Sequence, residues 1–190
     1  MKSEREKMLD GEPYIASDRD LAADRAAVRR RLALFNATGP DDLAERSRLL
    51  VAIVGTVGDD THIEPPFRCD YGRNITLGSF VYMNFGCIIL DCARVTIGDR
   101  VKFGPSIQLL AAHHPIDPCE RAAGPELASP ITIGDDVWLG GGVIVCPGVT
   151  IGAGTTIGAG SVVTRDIPAG VVAYGNPCRV ARRIPGVTNG

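Results

Sequence analysis

The stretch from Ile133 to Thr164 repeats every six residues, and that period constrains the fold more than any other feature of the chain. In sixes it reads Ile133-Gly-Asp-Asp-Val-Trp, Leu139-Gly-Gly-Gly-Val-Ile, Val145-Cys-Pro-Gly-Val-Thr, Ile151-Gly-Ala-Gly-Thr-Thr and Ile157-Gly-Ala-Gly-Ser-Val. Each six opens on Ile, Leu or Val, and the fifth positions are Val137, Val143, Val149, Thr155 and Ser161. A helix repeats every 3.6 residues and a half-buried strand every two, so neither accounts for the pattern. A period of six predicts a parallel β-helix, in which three short strands make one triangular coil of about 18 residues. The opening aliphatics stack into inward ladders, the small or β-branched fifth positions face in near the corners, and glycines allow the backbone to turn.

Upstream the frame continues with interruptions. Ile97-Gly-Asp-Arg-Val-Lys and Phe103-Gly-Pro-Ser-Ile-Gln keep it, and Leu109 begins a third six. Tyr71-Gly-Arg-Asn-Ile-Thr, Leu77-Gly-Ser-Phe-Val-Tyr, Met83-Asn-Phe-Gly-Cys-Ile and Ile89-Leu-Asp-Cys-Ala-Arg fit with a two-residue slip near Val95. Between Leu110 and Pro130 the pattern fails, and two adjacent histidines, four prolines and several charges take its place. We read 110–130 as an excursion from the coil, and long loops in compact repeat domains are more often functional than accidental.

Before residue 61 the period is absent. Asp18 to Phe35 has a helical pattern, with Leu21, Val28, Leu32 and Phe35 on one stripe and Arg25, Arg29 and Arg30 largely off it. Asn36-Ala-Thr-Gly-Pro interrupts. A second helix runs from Asp41 to Val54, with Leu43, Leu50 and Val54 on one face and Leu49 and Ile53 beside them. The chain thus divides into a helical segment, 1–60, and a repeat unit, 61–190, that carries the excursion and a tail. The helices shield the open end of the solenoid, whose terminal coil has unpaired strand edges; a direct part in shaping a binding site is the alternative.

Composition fits a narrow tube: the chain is 45% hydrophobic but only 5% aromatic, with 23 glycines at hand for corners. A net charge of −2 gives no basic footprint for nucleic acid. No apolar run reaches membrane-spanning length, and the start, Met1-Lys-Ser-Glu-Arg-Glu-Lys, is charged where a signal peptide turns apolar. A cytoplasmic location is the expectation. Among the six cysteines, Cys69 and Cys87 are expected at fifth positions in the core, and Cys92, Cys119, Cys146 and Cys178 form no C-x-x-C pair. That reads as a reduced, non-catalytic set. A γ-carbonic-anhydrase-like zinc site needs three separated histidines, whereas His113 and His114 are neighbours and His62 is the only other, so no metal is expected.

Five segments carry a resemblance: Glu6-Lys-Met-Leu-Asp-Gly-Glu-Pro-Tyr14, Ile63-Glu-Pro-Pro-Phe-Arg-Cys-Asp-Tyr-Gly-Arg-Asn-Ile75, His114-Pro-Ile-Asp-Pro118, Ile133-Gly-Asp-Asp-Val-Trp-Leu-Gly140 and Gly175-Asn-Pro-Cys-Arg179. Together they resemble the hexapeptide-repeat sugar O-acetyltransferases of the maltose, galactoside and nodulation-factor kinds, over nearly the whole chain. The resemblance implies a mainly β fold, a left-handed parallel β-helix with a small N-terminal helical segment. It also implies acetyl transfer from acetyl-CoA, a co-substrate rather than a tightly bound cofactor, to a sugar hydroxyl of the maltose, glucose or galactoside type. An antibiotic or a nodulation-type oligosaccharide is the alternative acceptor. A homotrimer with sites between subunits is implied as well.

Such a transfer needs a base for an alcohol hardly ionised at neutral pH, a task suited to histidine. The resemblance puts that base at His114, which Pro115 follows; an extended backbone beside the proline turns His113 elsewhere. No cysteine or serine has an activated-nucleophile setting, which favours direct transfer over a covalent intermediate. By resemblance, the Gly141 N–H meets the thioester oxyanion, Asn84 holds the acceptor and the tetrahedral species, and Asp70 is a polar acceptor contact. Galactoside-type relatives carry two successive acids at the acceptor site; this chain keeps Asp91 and has Cys92 in place of the second. Ala159, Thr164, Arg165, Arg179 and Arg182 fall at coenzyme A positions, Arg165 where relatives often have Lys. Trp138 lies near the Gly141 turn, in a packing role or a functional one.

Overall fold

The computed structural model describes residues 2–186; residue 1 and residues 187–190, the outer ends of the two expected units, lie outside the described residues. Three sheets of parallel strands wrap the repeat unit into a triangular tube. The first face stacks Thr56–Val57, Ile75–Leu77, Val95–Ile97, Ile131–Ile133 and Thr150–Ile151. The second stacks His62–Ile63, Tyr82–Met83, Lys102–Phe103, Trp138–Leu139 and Thr156–Ile157, then gains the hairpin Val171–Gly175 and Cys178–Arg183. Arg68–Cys69, Ile88–Leu90, Gln108–Leu110, Ile144–Val145 and Val162–Val163 make the third. The inward ladders follow from the period: Leu77, Ile97, Ile133 and Ile151 on the first face, Met83, Phe103, Leu139 and Ile157 on the second, and Ile89, Leu109, Val145 and Val163 on the third. None is more than 2% exposed. Full burial of one such side chain stabilises by about 1.5–3 kcal/mol, so the ladders dominate the energetics of the tube.

The slip near Val95 has a structural cause, and it recurs one coil earlier. Thr56 pairs with Thr76 and Ile75 with Val95, twenty residues apart, whereas Thr132 pairs with Thr150, eighteen apart. The extra residues sit at the corner between the third and first faces, within 70–74 and 91–94. They also shift the early frame: Cys69 pairs with Ile89, an opening position rather than the expected fifth. It is core either way, at 7% exposed.

Three helices precede the tube: α1 (Glu4–Leu9), α2 (Arg19–Asn36) and α3 (Leu43–Ile53). The short α1, absent from the sequence reading, starts at a capping box between Ser3 and Glu6. Asp18 caps α2, and the stripe Leu21, Val28, Leu32 and Phe35 is buried as its spacing predicts. In α3 the inward stripe is Arg46, Leu49, Leu50 and Ile53. Leu43, expected on that face, lies in the first turn ahead of the stripe and is 55% exposed. Arg46 tolerates its burial by bonding Glu64 Oε2 at 2.9 Å and the Gly39 carbonyl at 3.0 Å. The first strand follows at Thr56, ahead of the boundary expected at residue 60. The excursion is an antiparallel pair, Ala112–His113 with Leu127–Ala128, closed over a short helix α4 (Pro118–Ala122). Among the described residues no helix is long and apolar enough to cross a membrane.

Candidate active site

At the corner between the second and third faces, Asn84, Gly104, Gly140 and Gly158 succeed one another coil by coil, and Gly141 and Ala159 follow the last two. The Asn84 N–H donates to the Phe103 carbonyl, that of Gly104 to Leu139 and that of Gly140 to Ile157, at 3.1, 2.8 and 2.8 Å. The stacking is too close for side chains: a Cβ on Gly104 would lie 2.5 Å from the Gly141 nitrogen, and one on Gly140 2.6 Å from that of Ala159. Among the described residues, the N–H groups of Gly141 and Ala159 have no acceptor. The Asn84 Oδ1 accepts from the Phe85 N–H at 2.8 Å, and among the described residues no bond engages its NH2. Trp138 is 56% exposed on the adjoining second face, between Lys102 and Thr156, and so is no part of the core.

The corner between the third and first faces is built differently. Asp91 is fully buried; its Oδ1 accepts from the N–H groups of Asp70 and Tyr71 at 3.0 and 2.8 Å, and its Oδ2 from that of Asn74 at 3.3 Å. The inserted residues create these backbone donors, which need a partner once buried. Burial pushes the Asp91 carboxyl up to about 6, against the pull of those donors. The sequence reading expected Asp91 as an acceptor contact; in the fold its carboxylate is enclosed and holds the turn that carries Asp70.

Asp70 is half-buried, and burial raises its pKa while the Cys92 thiol, donating to Oδ2 at 3.5 Å, opposes the rise. Cys92 is 5% exposed, and burial pushes its thiol up to about 12, so it is a protonated donor at neutral pH and not a nucleophile. Both border a cleft of about 210 Å³, with Tyr14, Arg25 and Arg29 from the N-terminal segment and Glu126 from the excursion. Arg25 spans it, donating to the Tyr71 hydroxyl at 2.5 Å and to the Ala16 carbonyl at 2.6 Å. Tyr14, Arg25, Arg29 and Glu126 carry no periodic signal, and the sequence reading assigned none of them to the site.

His114 is exposed and lines a cavity of about 690 Å³ with Pro13, Ile116, Glu120 and Leu127. His113 borders the same cavity, and its Nε2 lies 3.1 Å from the Ser129 Oγ, so of the two adjacent imidazoles it is His113 that has a side-chain partner among the described residues. In the C-terminal hairpin, Arg179 pairs with Tyr174, which lies against Gly158 beside Ala159, and Arg182 stands farther along the same strand, opposite Val172. Thr164 and Arg165 leave the last strand of the third face at its other corner. Within one chain the expected residues therefore form two groups. His114, Asp70, Cys92, Thr164 and Arg165 stand at one edge of the third face, and Asn84, Gly141, Ala159 and Arg179 at the other.

Comparison with known proteins bears on the family. The maltose acetyltransferase hexapeptide capping motif matches residues 7–58, and the bacterial transferase hexapeptide repeat matches residues 130–165. Nodulation protein L of Rhizobium meliloti (strain 1021) is 49% identical over 94% of this chain and 98% of its own length. Galactoside O-acetyltransferase of Escherichia coli (strain K12) is 45% identical over 79% of this chain and 74% of its own. The crystal structure of a maltose O-acetyltransferase from Clostridium difficile 630 superposes with a TM-score of 0.95 at 47% identity, covering 96% of this chain and 98% of that one. A galactoside acetyltransferase in complex with coenzyme A superposes at 0.92 and 39% identity, covering 97% and 92%. The chain belongs to the hexapeptide-repeat acetyltransferases of the maltose, galactoside and nodulation-protein type.

Proposed function

We propose that the protein transfers an acetyl group directly from acetyl-CoA to a sugar hydroxyl, in sites shared between the subunits of a homotrimer. The observation that carries this reading is the division of the site into two half-sites at opposite edges of one face. That face is mainly aliphatic on its outside: Ile88, Leu90, Leu110, Ile144 and Val162 are half-buried there, in rows interrupted by Arg68 and Gln108, where the outside of the first face carries the exposed threonines Thr76, Thr96, Thr132 and Thr150. Three copies with their third faces toward a common axis cover this aliphatic surface. They also bring the His114 corner of one copy against the Asn84–Gly141 corner of the next.

In that arrangement the acceptor sits at Asp70, and His114 takes the proton of its hydroxyl as the oxygen attacks the thioester carbonyl. The free N–H of Gly141 and the NH2 of Asn84 donate to the resulting oxyanion. Collapse expels the coenzyme A sulfur, which receives the proton from His114. Ala159 offers its N–H to the pantetheine arm, Thr164 its hydroxyl, and Arg165, Arg179 and Arg182 take the phosphates. Asp91 and Cys92 act behind Asp70. The six unpaired cysteines fit a reducing, cytoplasmic setting. A nodulation-type oligosaccharide is the second reading of the acceptor, supported by the 49% identity to nodulation protein L over 94% of this chain.

The test incubates the protein with acetyl-CoA and maltose, glucose, a galactoside or a chitin-type oligosaccharide, reading free thiol and acetylated sugar by mass. Acceptor-dependent thiol release is expected with at least one of them; release no faster than acetyl-CoA hydrolysis with every hydroxyl acceptor overturns the assignment.

A further inference from the structure

The N-terminal segment reaches beyond the end of the tube. Between α1 and α2 the chain passes the excursion, and there Tyr14 meets Glu126, distant by 112 residues in sequence. The Tyr14 N–H donates to the Glu126 carbonyl at 3.1 Å, and the Glu126 N–H donates back at 2.9 Å, an antiparallel bridge. The Tyr14 hydroxyl adds a bond to Glu126 Oε2 at 3.1 Å, from a side chain only 1% exposed. The next residue, Leu127, pairs with His113. Backbone groups of successive strand residues point to opposite edges, so the return arm of the excursion is held between Tyr14 and the strand that ends next to His114. The same short segment borders both cavities. Pro13 lines the His114 cavity, and Tyr14 lines the cleft of Asp70.

We propose that Tyr14 is a positioning residue for acetyl transfer: its hydroxyl bond to Glu126 sets the excursion so that His114 meets a hydroxyl seated at Asp70. The proposal rests on His114 being the base. The other side-chain bonds within the arm are local, between His113 and Ser129, from Asp117 to the start of α4 and from Arg121 to the carbonyls of Pro115 and Ile116, and among the described residues none fixes the arm to the tube. A base displaced by about 1 Å can lose on the order of 100-fold in rate, so a single well-placed anchor matters.

Tyr14→Phe keeps the ring and the backbone bridge and removes only the hydroxyl. We expect kcat to fall about tenfold, the KM for acetyl-CoA to hold, and the melting midpoint to move little. Amide hydrogen exchange should quicken across 112–127. Glu126→Leu should behave alike, while Glu126→Gln, which keeps an oxygen acceptor, should restore most of the rate. The double variant Tyr14→Phe/Glu126→Leu should be no slower than either single one, because both remove the same bond. Unchanged exchange in Tyr14→Phe, or losses that multiply in the double variant, would overturn the clamp. Faster exchange with an undiminished kcat would overturn its link to His114. Absence of acetyl transfer by the unaltered protein would instead refute the function proposed above, leaving the exchange measurement to judge the clamp on its own.

Discussion

At the corner between the second and third faces the coils are plain. Asn84, Gly104, Gly140 and Gly158 stack so tightly that side chains are excluded at Gly104 and Gly140, and the unused N–H groups of Gly141 and Ala159 are what remain among the described residues. At the corner between the third and first faces the coils are lengthened, first by two residues and then by the whole excursion. There the spare N–H groups are consumed by the buried carboxylate of Asp91, and side chains such as His114 and Asp70 are free to project. The difference teaches that regular repeats supply fixed backbone donors, whereas insertions supply acids and bases. Acyl transfer requires both kinds.

The largest effect should come from the irregular corner. His114→Ala should lower kcat by about 10²–10⁴ while leaving the KM for acetyl-CoA nearly unchanged, because the base is lost and the regular corner is intact. His113→Ala should be far milder, since that imidazole is engaged by Ser129. Steady-state kinetics of the two variants decide it, and activity of His114→Ala within a few-fold of the unaltered protein removes the base from this corner.

Mixing tests whether the two corners meet across subunits. His114→Ala and Asn84→Ala, each inactive alone, are dissociated together and reassembled. If each site joins one corner from each of two copies, about a quarter of the interfaces in a random 1:1 mixture carry neither lesion, and activity returns in that proportion. No recovery, with mixed trimers confirmed by mass, would show that each chain completes its own site.

A smaller, selective effect is expected at the coenzyme end of the regular corner. On the proposed role of Arg179 as a phosphate contact, worth about 1.5–3 kcal/mol when charge-assisted, Arg179→Ala should raise the KM for acetyl-CoA roughly ten- to a hundredfold with little change for the sugar. An equal rise for both substrates would point to a role for Arg179 in holding the hairpin, where it already donates to the Cys178 carbonyl at 2.8 Å.

The contrast between the corners also explains what the sequence made legible. Stacked ladders leave a mark at every sixth residue, so the tube, its core and the place of Gly141 and Ala159 can be read from Ile133 to Val163. The slip near Val95 is visible too, but the sequence carries no sign that Asp91 folds inward to satisfy the extra backbone groups. Nor does any period link Tyr14 to Glu126 or bring Arg25 over Tyr71, since these contacts depend on how α1 and α2 dock. In α3, Leu43 and Arg46 both sit at helical spacing from Leu50, and the acceptors offered by Thr38, Glu64 and Gly39 make the arginine the inward one.

The subtlest test concerns the carboxylate that shapes the irregular corner. Burial sets the Asp91 carboxyl at about 6 in the folded chain, above the roughly 3.9 of an unfolded aspartate. The folded state therefore holds a proton that the unfolded state releases between those values. A group of this kind stabilises fully below about pH 4, and its contribution is lost as pH rises through about 6, a change of roughly 2–3 kcal/mol. Asp91→Asn cannot ionise and should lack that slope, although its NH2 opposes a backbone N–H and lowers stability at every pH. Denaturant midpoints of both proteins across pH 4 to 7 supply the comparison, with the unaltered protein losing its advantage as pH rises. A stability difference that stays flat, or grows with pH, would mean that the three N–H donors outweigh burial and hold Asp91 ionised throughout. The irregular corner would then be built around a permanent buried charge.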